Sequence, residues 1–242
     1  MKTVQVRKNV FLFLGALSFL TVLLSGCLKE STSSSSSAPK TYLSLMHLAS
    51  RAPAIEVYFD ATKASSSISS GTVASAYSAL DPATFAINFK KAGSDSLVAS
   101  LGTSRYDSSK YYTLLLYNYD STHARAVRII DDFTVLSSTK AVYRFFHMCP
   151  DVGNVDLYFD NNLIDAGRQY ADNTISDFWN QFAETPTGTV NVYVKKAGTD
   201  SVIAQASSIY LNVTNAYTIF LKGIKGGTGT NAIAVDVLQA AD

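Results

Sequence analysis

Val57-Tyr58-Phe59-Asp60, ten residues after His47, returns as Leu157-Tyr158-Phe159-Asp160, ten residues after His147. Further along, Lys90-Lys91-Ala92-Gly93-Ser94-Asp95-Ser96 returns as Lys195-Lys196-Ala197-Gly198-Thr199-Asp200-Ser201, and Tyr112-Thr113-Leu114-Leu115-Leu116 as Tyr217-Thr218-Ile219-Phe220-Leu221. The offset is 100 for the first pair and 105 for the other two, so the second copy carries about five extra residues in its middle. Two copies in one order predict two homologous domains, 40–137 and 138–242, joined near Ser137 to Lys140, each with its own core.

Each copy reads as all-β. Phe85-Ala86-Ile87-Asn88-Phe89 and Val190-Asn191-Val192-Tyr193-Val194 alternate large side chains with smaller or polar ones, the period of a strand with one buried face. Turn residues punctuate the runs at Asp81-Pro82, Gly93-Ser94, Pro186-Thr187-Gly188, Gly198-Thr199 and Gly226-Gly227. In the first copy the candidate strands lie near 41–48, 54–59, 72–78, 84–89, 96–101, 110–118 and 125–130. About seven short strands per copy predict two tandem immunoglobulin-like β-sandwich domains. A transmembrane barrel fits less well, because polar runs such as Ser65 to Ser70 interrupt the strands.

Ahead of the repeats, Lys2, Arg7 and Lys8 precede an uncharged apolar run from Val10 to Leu24, and Ser25-Gly26 precede Cys27. This is the pattern of a secretory signal over residues 1–26, its apolar run of about 15 residues being short for a spanning helix. Leu24-Ser25-Gly26-Cys27 resembles the bacterial lipoprotein signal, which implies cleavage before Cys27, lipidation of its thiol, and a tether to the membrane. Residues 27–39, with serines at every position from 33 to 37, read as a flexible linker. Leu28 in place of an aspartate favours the outer membrane, facing periplasm or cell surface, in lipoproteins that this one resembles.

The openings of the two copies carry a second resemblance. His47-Leu48-Ala49-Ser50-Arg51-Ala52-Pro53-Ala54-Ile55-Glu56-Val57-Tyr58 and His147-Met148-Cys149-Pro150-Asp151-Val152-Gly153-Asn154-Val155-Asp156-Leu157-Tyr158 resemble the signature of domain-of-unknown-function family 4397, His-Ala-Ser-Pro-Asp-Ala-Pro followed by Val-Asp-Val-Tyr. The likeness extends over most of 41–239, including Pro186-Thr187-Gly188-Thr189. Arg51 replaces the signature aspartate in the first copy, and Val152-Gly153 replaces Ala-Pro in the second. The resemblance implies fold and export, and it supplies no catalytic residues.

Composition gives no electrostatic footprint for nucleic acid: formal net charge is +1, and the lysine pairs fall in turns. Beyond Cys27 only Cys149 remains, so no disulfide within a domain is expected, and Cys149 reads as a small buried apolar residue. No Gly-x-Ser-x-Gly elbow is present, and a non-enzymatic protein without cofactor is expected. His47 and His147 end equivalent strands without a second histidine or cysteine at ligand spacing in the first copy, so they read as hydrogen-bonding groups that fix the next loop rather than as metal ligands. Lys222 to Thr230 lacks the Gly-Lys-Ser/Thr ending of a phosphate loop and reads as a flexible hairpin tip, while Asp131-Asp132 and Asp160-Asn161-Asn162 read as acidic turns rather than calcium loops.

One difference between copies marks a candidate surface. Aligning Ser75-Ala76-Tyr77-Ser78 with Ser176-Asp177-Phe178-Trp179 makes Phe178 a core position like Tyr77 and turns Trp179, opposite Ser78, toward solvent. Trp179, Phe182 and Tyr170 are then expected to line a ligand or partner surface on the second domain. The function expected is that of a lipid-anchored envelope protein whose tandem sandwiches bind glycan or protein, with a structural or assembly subunit of an envelope complex as the alternative.

Overall fold

The structure, a computed structural model, describes residues 38–241. Cys27 and the signal reading lie outside the described residues. The first copy forms β1 (Thr41–His47), β2 (Ile55–Phe59), β3 (Thr62–Lys63), β4 (Thr72–Val73), β5 (Ser78–Leu80), β6 (Ala83–Lys91), β7 (Leu97–Tyr106), β8 (Tyr111–Asn118) and β9 (Ala124–Asp131). The second forms β10 (Ala141–His147), β11 (Val155–Phe159), β12 (Asn162–Arg168), β13 (Ala183–Thr185), β14 (Gly188–Lys196), β15 (Val202–Leu211), β16 (Ala216–Lys222) and β17 (Ala234–Ala241). The expected strand at 72–78 is two short ones, β4 and β5, both paired with β1, and the two-residue turn after Phe59 adds β3.

Each copy is a sandwich of two sheets. The outer sheets, in the order β3-β2-β6-β7 and β12-β11-β14-β15, are antiparallel hairpin stacks. In the inner sheets, β4-β1-β8-β9 with β5 also on β1, and β13-β10-β16-β17, β1 runs parallel to β8 and β10 to β16. The repeated sequences hold this frame. Asp60 and Asp160 take positive φ (50° and 52°) at the start of the β2–β3 and β11–β12 turns, a conformation that Asp tolerates because its short side chain bonds locally. The Asp60 carboxylate accepts the Ala86 N–H at 2.9 Å, and Asp160 accepts the Asn191 N–H at 3.0 Å. Lys90 lies 4.5 Å over the Tyr58 ring and Lys195 4.4 Å over Tyr158, each lysine also pairing with the aspartate five residues on. The recurring Lys-Lys-Ala-Gly turn is therefore structural, with Gly93 and Gly198 both at φ of 70°.

Burial separates inner from outer strands. β6 alternates buried and partly buried positions along its middle, with Phe85, Ile87 and Phe89 turned to the core. In β10 all seven residues are buried, and in β8 every residue after Tyr111 is. Their second face is covered as well, because the inner sheet of one copy packs on the inner sheet of the other. Met46, Leu48, Leu115, Tyr117 and Ile129 of the first copy form one core with Phe146, Met148 and Phe220 of the second. Two further cores lie inside the individual sandwiches, one around Ile55, Ile87 and Phe89, the other around Phe145, Leu157 and Val192. A smaller cluster seats Phe133 and Leu136, from the segment after β9, on Val142, Ala216 and Phe182. All four cores close within the compact unit Ala38–Asp242. Among the described residues no helix is long and apolar enough to cross a membrane.

Separately produced chains 38–137 and 138–242 each present a bare apolar sheet face. We expect them to combine into a one-to-one complex at micromolar concentration, seen as a single boundary in analytical ultracentrifugation. Two non-interacting monomers would show that the inner-sheet contact does not hold the copies together.

Candidate functional site

Strand register places the insertion. Gly71 and Ala171 both take positive φ, and each donates its N–H to the carbonyl of the preceding histidine position, Gly71 to His47 at 2.7 Å and Ala171 to His147 at 2.8 Å. The offset is therefore still 100 there. Leu43 then faces Ser78, whereas Tyr143 faces Ala183, an offset of 105. The extra residues thus fall between 171 and 183, where the chain forms two 3-10 turns, Asp172–Thr174 and Asp177–Asn180. Tyr77 corresponds to Phe182, and Trp179 has no counterpart in the first copy. The alignment of Trp179 with Ser78 is corrected accordingly, and so is the orientation it implied: Phe178 is 67% exposed, while Trp179 is half-buried.

Trp179 is fixed from below by a charge. Its ring lies 3.9 Å from the Arg168 guanidinium carbon, a stacking distance for a planar cation on an aromatic face. Arg168 is only 2% exposed, and a buried guanidinium must have its donors satisfied. It pairs with Asp172 through Nε at 2.7 Å and Nη2 at 2.8 Å, gives Nη2 also to the Phe145 carbonyl at 2.8 Å, and reaches Asp165 at 3.2 Å. Burial holds the Asp165 carboxyl above its usual range, against the pull of Arg168. Asn173 and Asn180 bond each other, which ties one 3-10 turn to the next.

Above this floor the structure brings Trp179 and Phe182 together with Phe178 around a cleft of about 180 Å³. Phe182 and Gln181 also border a second cleft of about 360 Å³ between the copies, whose other wall includes Ile130 and Val135 of the first. Phe178 packs edge-on to Trp179 at 4.8 Å, and Ile175, one turn earlier, is 84% exposed. Tyr170 is not among the residues lining either cleft. Its hydroxyl donates to the Asn118 carbonyl of the first copy at 2.5 Å, and its ring stands edge-on to His147, so Tyr170 joins the two copies instead. Phe178 and Ile175, which the sequence reading missed, are legible only once the insertion is placed.

The other singled-out residues have structural partners. His47 and His147 are fully buried, with Nε2 at 3.2 Å from the Pro53 carbonyl and at 3.1 Å from the Gly153 carbonyl. A carbonyl can only accept, so Nε2 carries the proton, and each histidine holds the loop that crosses between the sheets of its copy. Among the described residues no three His, Cys, Asp or Glu side chains converge as a metal site would require. Cys149 is fully buried in the second sandwich, and burial pushes its thiol up to about 11. Asp131 is no acidic turn: it ends β9 in the interior, where it takes bonds from Arg144, Thr113 and Tyr77. The 222–230 segment is no free tip either. Asn231, just beyond it, accepts from Ser70 of the first copy at 2.8 Å, and a Cβ on Gly71 would lie 2.4 Å from the Thr230 carbonyl oxygen.

Residues 41–158 match the family model described as a domain of unknown function, DUF4397. The match takes in the whole first sandwich and enters the second as far as Tyr158 in β11. No curated protein matches the chain.

The buried histidines set a pH dependence. Burial lowers the affinity of His47 and His147 for a proton below the ordinary 6.5, so the unfolded chain binds more protons under acid conditions. Stability is then full above about pH 6.5 and falls as the pH drops below it. The His47→Gln, His147→Gln double variant, which keeps an N–H donor at each site, should show a shallower loss of melting temperature between pH 6.5 and 5. An unchanged slope would assign the acid sensitivity elsewhere.

Proposed function

We propose that the chain is a lipid-anchored envelope protein built from two DUF4397 domains, and that it serves as a binding module whose contact surface is the inserted segment of the second domain. The anchor reading rests on the basic end, the apolar run and the Leu24-Ser25-Gly26-Cys27 lipobox, and the assignment of the second copy to the family on its repeated signature. One observation carries the binding reading: the insertion places Ile175 and Phe178 in solvent, on top of a Trp179 that Arg168 locks in position. Exposed apolar side chains on a rigid support are a poor surface for a free monomer and a good one for a partner.

Protein fits this surface better than glycan. Sugar recognition needs several free polar groups beside the aromatic ring to meet hydroxyls, yet Asn180 bonds both Asp177 and Asn173 within the insertion, and Arg168 and Asp165 at the cleft floor bond each other. The neighbouring cleft continues this surface with Phe182, Ile130 and Val135 set among Arg128, Asp132, Asp177 and Gln181, a mixture of apolar and charged groups that suits a protein segment.

Two measurements test this reading. Cys27→Ser should abolish incorporation of radiolabelled palmitate and leave the precursor uncleaved by the lipoprotein peptidase; labelled palmitate in that variant would refute the anchor. For the surface, a photo-reactive benzoylphenylalanine at position 178 should give one discrete protein adduct in irradiated cells, and Ile175→Asp in the same chain should remove it. A glycan array that lights up with the full chain, and loses its signal on Trp179→Ala, would replace the protein reading by the sugar one.

A further inference from the structure

The two sandwiches treat one equivalent space in opposite ways. In the first, a cleft of about 300 Å³ opens between β1 and the β2–β4 side, walled by Leu43, Leu45, Val57, Ile68, Leu80 and Leu114. That volume reaches the lower end of the range of small-molecule sites. No charged side chain lines it among the described residues, and its polar groups are hydroxyls such as Ser65, Thr72 and Ser78.

Register gives the corresponding positions of the second copy. Ile68 bridges to Ile55 as Arg168 pairs with Val155, and Leu43 and Leu45 match Tyr143 and Phe145 in the repeat. The replacements are larger or charged. Tyr143 reaches Asp165, Arg168 pairs with Asp165 and Asp172, and Trp179 from the insertion lies across the guanidinium. These changes fill or cover the space and outweigh the smaller Thr185 and Ala183 that stand for Leu80 and Ser78, so what stays open beside Trp179 is about 180 Å³, part of the surface described above. The first copy, with leucines, an isoleucine and small hydroxyl residues at these positions, leaves its apolar walls facing a gap.

We propose that the first sandwich binds a small uncharged apolar molecule in this cleft, between β1 and β2, where the second sandwich is largely filled by its own side chains. Neutral walls offer nothing to an ionic group, and burying a charge there would go uncompensated. Ser65 Oγ is taken up by the Val57 N–H and the Ser66 carbonyl, which leaves the Thr72 and Ser78 hydroxyls to give or accept a hydrogen bond, and this fits a long-chain alcohol or an ester better than a pure hydrocarbon. This inference does not depend on the partner surface of the second domain.

The test uses residues 38–242, which contain all four cores, titrated with the uncharged fluorophore N-phenyl-1-naphthylamine. Blue-shifted emission should saturate at one dye per chain, and 1-decanol should displace it. Leu45→Phe, which installs the residue of the second copy, and Ala64→Trp, at the exposed mouth, should each weaken dye binding by about tenfold or more. Ala64 lies on the surface, so its variant keeps the fold even where Leu45→Phe disturbs the core, and a cooperative circular dichroism melt verifies this for both. The proposal is overturned if the folded Ala64→Trp chain binds the dye as tightly as the parent, if Trp179→Ala is the change that removes binding, or if no saturable binding occurs.

Discussion

Arg144 enters the middle of a fully buried strand, between Tyr143 and Phe145, and the assembly of the two copies is organised around it. Its Nη1 meets Asp131 of the first copy at 2.6 Å, its Nε meets Thr218 at 2.9 Å, and its Nη2 reaches Thr113 at 3.3 Å. The guanidinium also faces the rings of Phe146 and Phe182. Asp131 completes its own coordination with the hydroxyls of Thr113 and Tyr77. Such a network contributes little net stability relative to apolar packing, yet removing one partner costs about 3–5 kcal/mol, because the other charge stays buried. Apolar sheets can slide over one another at small cost. A buried arginine that finds its carboxylate in only one register cannot, so this pair fixes how the inner sheets lie.

The same contact accounts for a difference between the two copies. The opening loops of the copies meet each other, and Arg51 of the first pairs with Asp151 of the second, residues at equivalent positions of the repeat. In a symmetric contact a residue near the axis meets its own counterpart. Aspartate at both positions would put like charges in close approach, and the arginine in the first copy makes the contact an ion pair. Asp151 also accepts the Lys225 N–H at 2.9 Å from the β16–β17 hairpin. Ser44 opposite Arg144 in the repeat, and Arg51 opposite Asp151, make each copy complementary to the other rather than to itself.

Features set by local chemistry were readable from the residues alone. The alternation in β6 and β14, the Asp160 turn and the lysine-glycine turns all depend on neighbours within one copy. Features that depend on contacts between copies were not. The apolar stretch Tyr112 to Leu116 has no alternation, since both faces of β8 are covered, and a single-sandwich reading offers no cause for that. Arg144 in a run of seven buried residues is the available signal for a buried ion pair, but its partner cannot be named before the sheets are stacked. The aromatic surface failed on register: an alignment one residue from the first offset overlooked that the shift to 105 comes after Ala171, which reversed Phe178 and Trp179.

Placing the insertion correctly also changes what the duplication means physically. Covering one face of each inner sheet with the other copy removes the need for both sandwiches to be alike inside, because the shared core already holds them. The second copy uses that freedom to bring Arg168, Asp172 and Trp179 into one rigid stack and to raise Phe178 and Ile175 on it. The first copy keeps short side chains around the same space, at the cost of van der Waals contacts that a filled core would have made. An unfilled apolar space is a standing loss of stability unless something occupies it. The apolar burial of the shared inner core works against that loss, while the buried ion pair fixes the register, so the division between a filled, surface-presenting copy and an open one follows from the packing of one against the other.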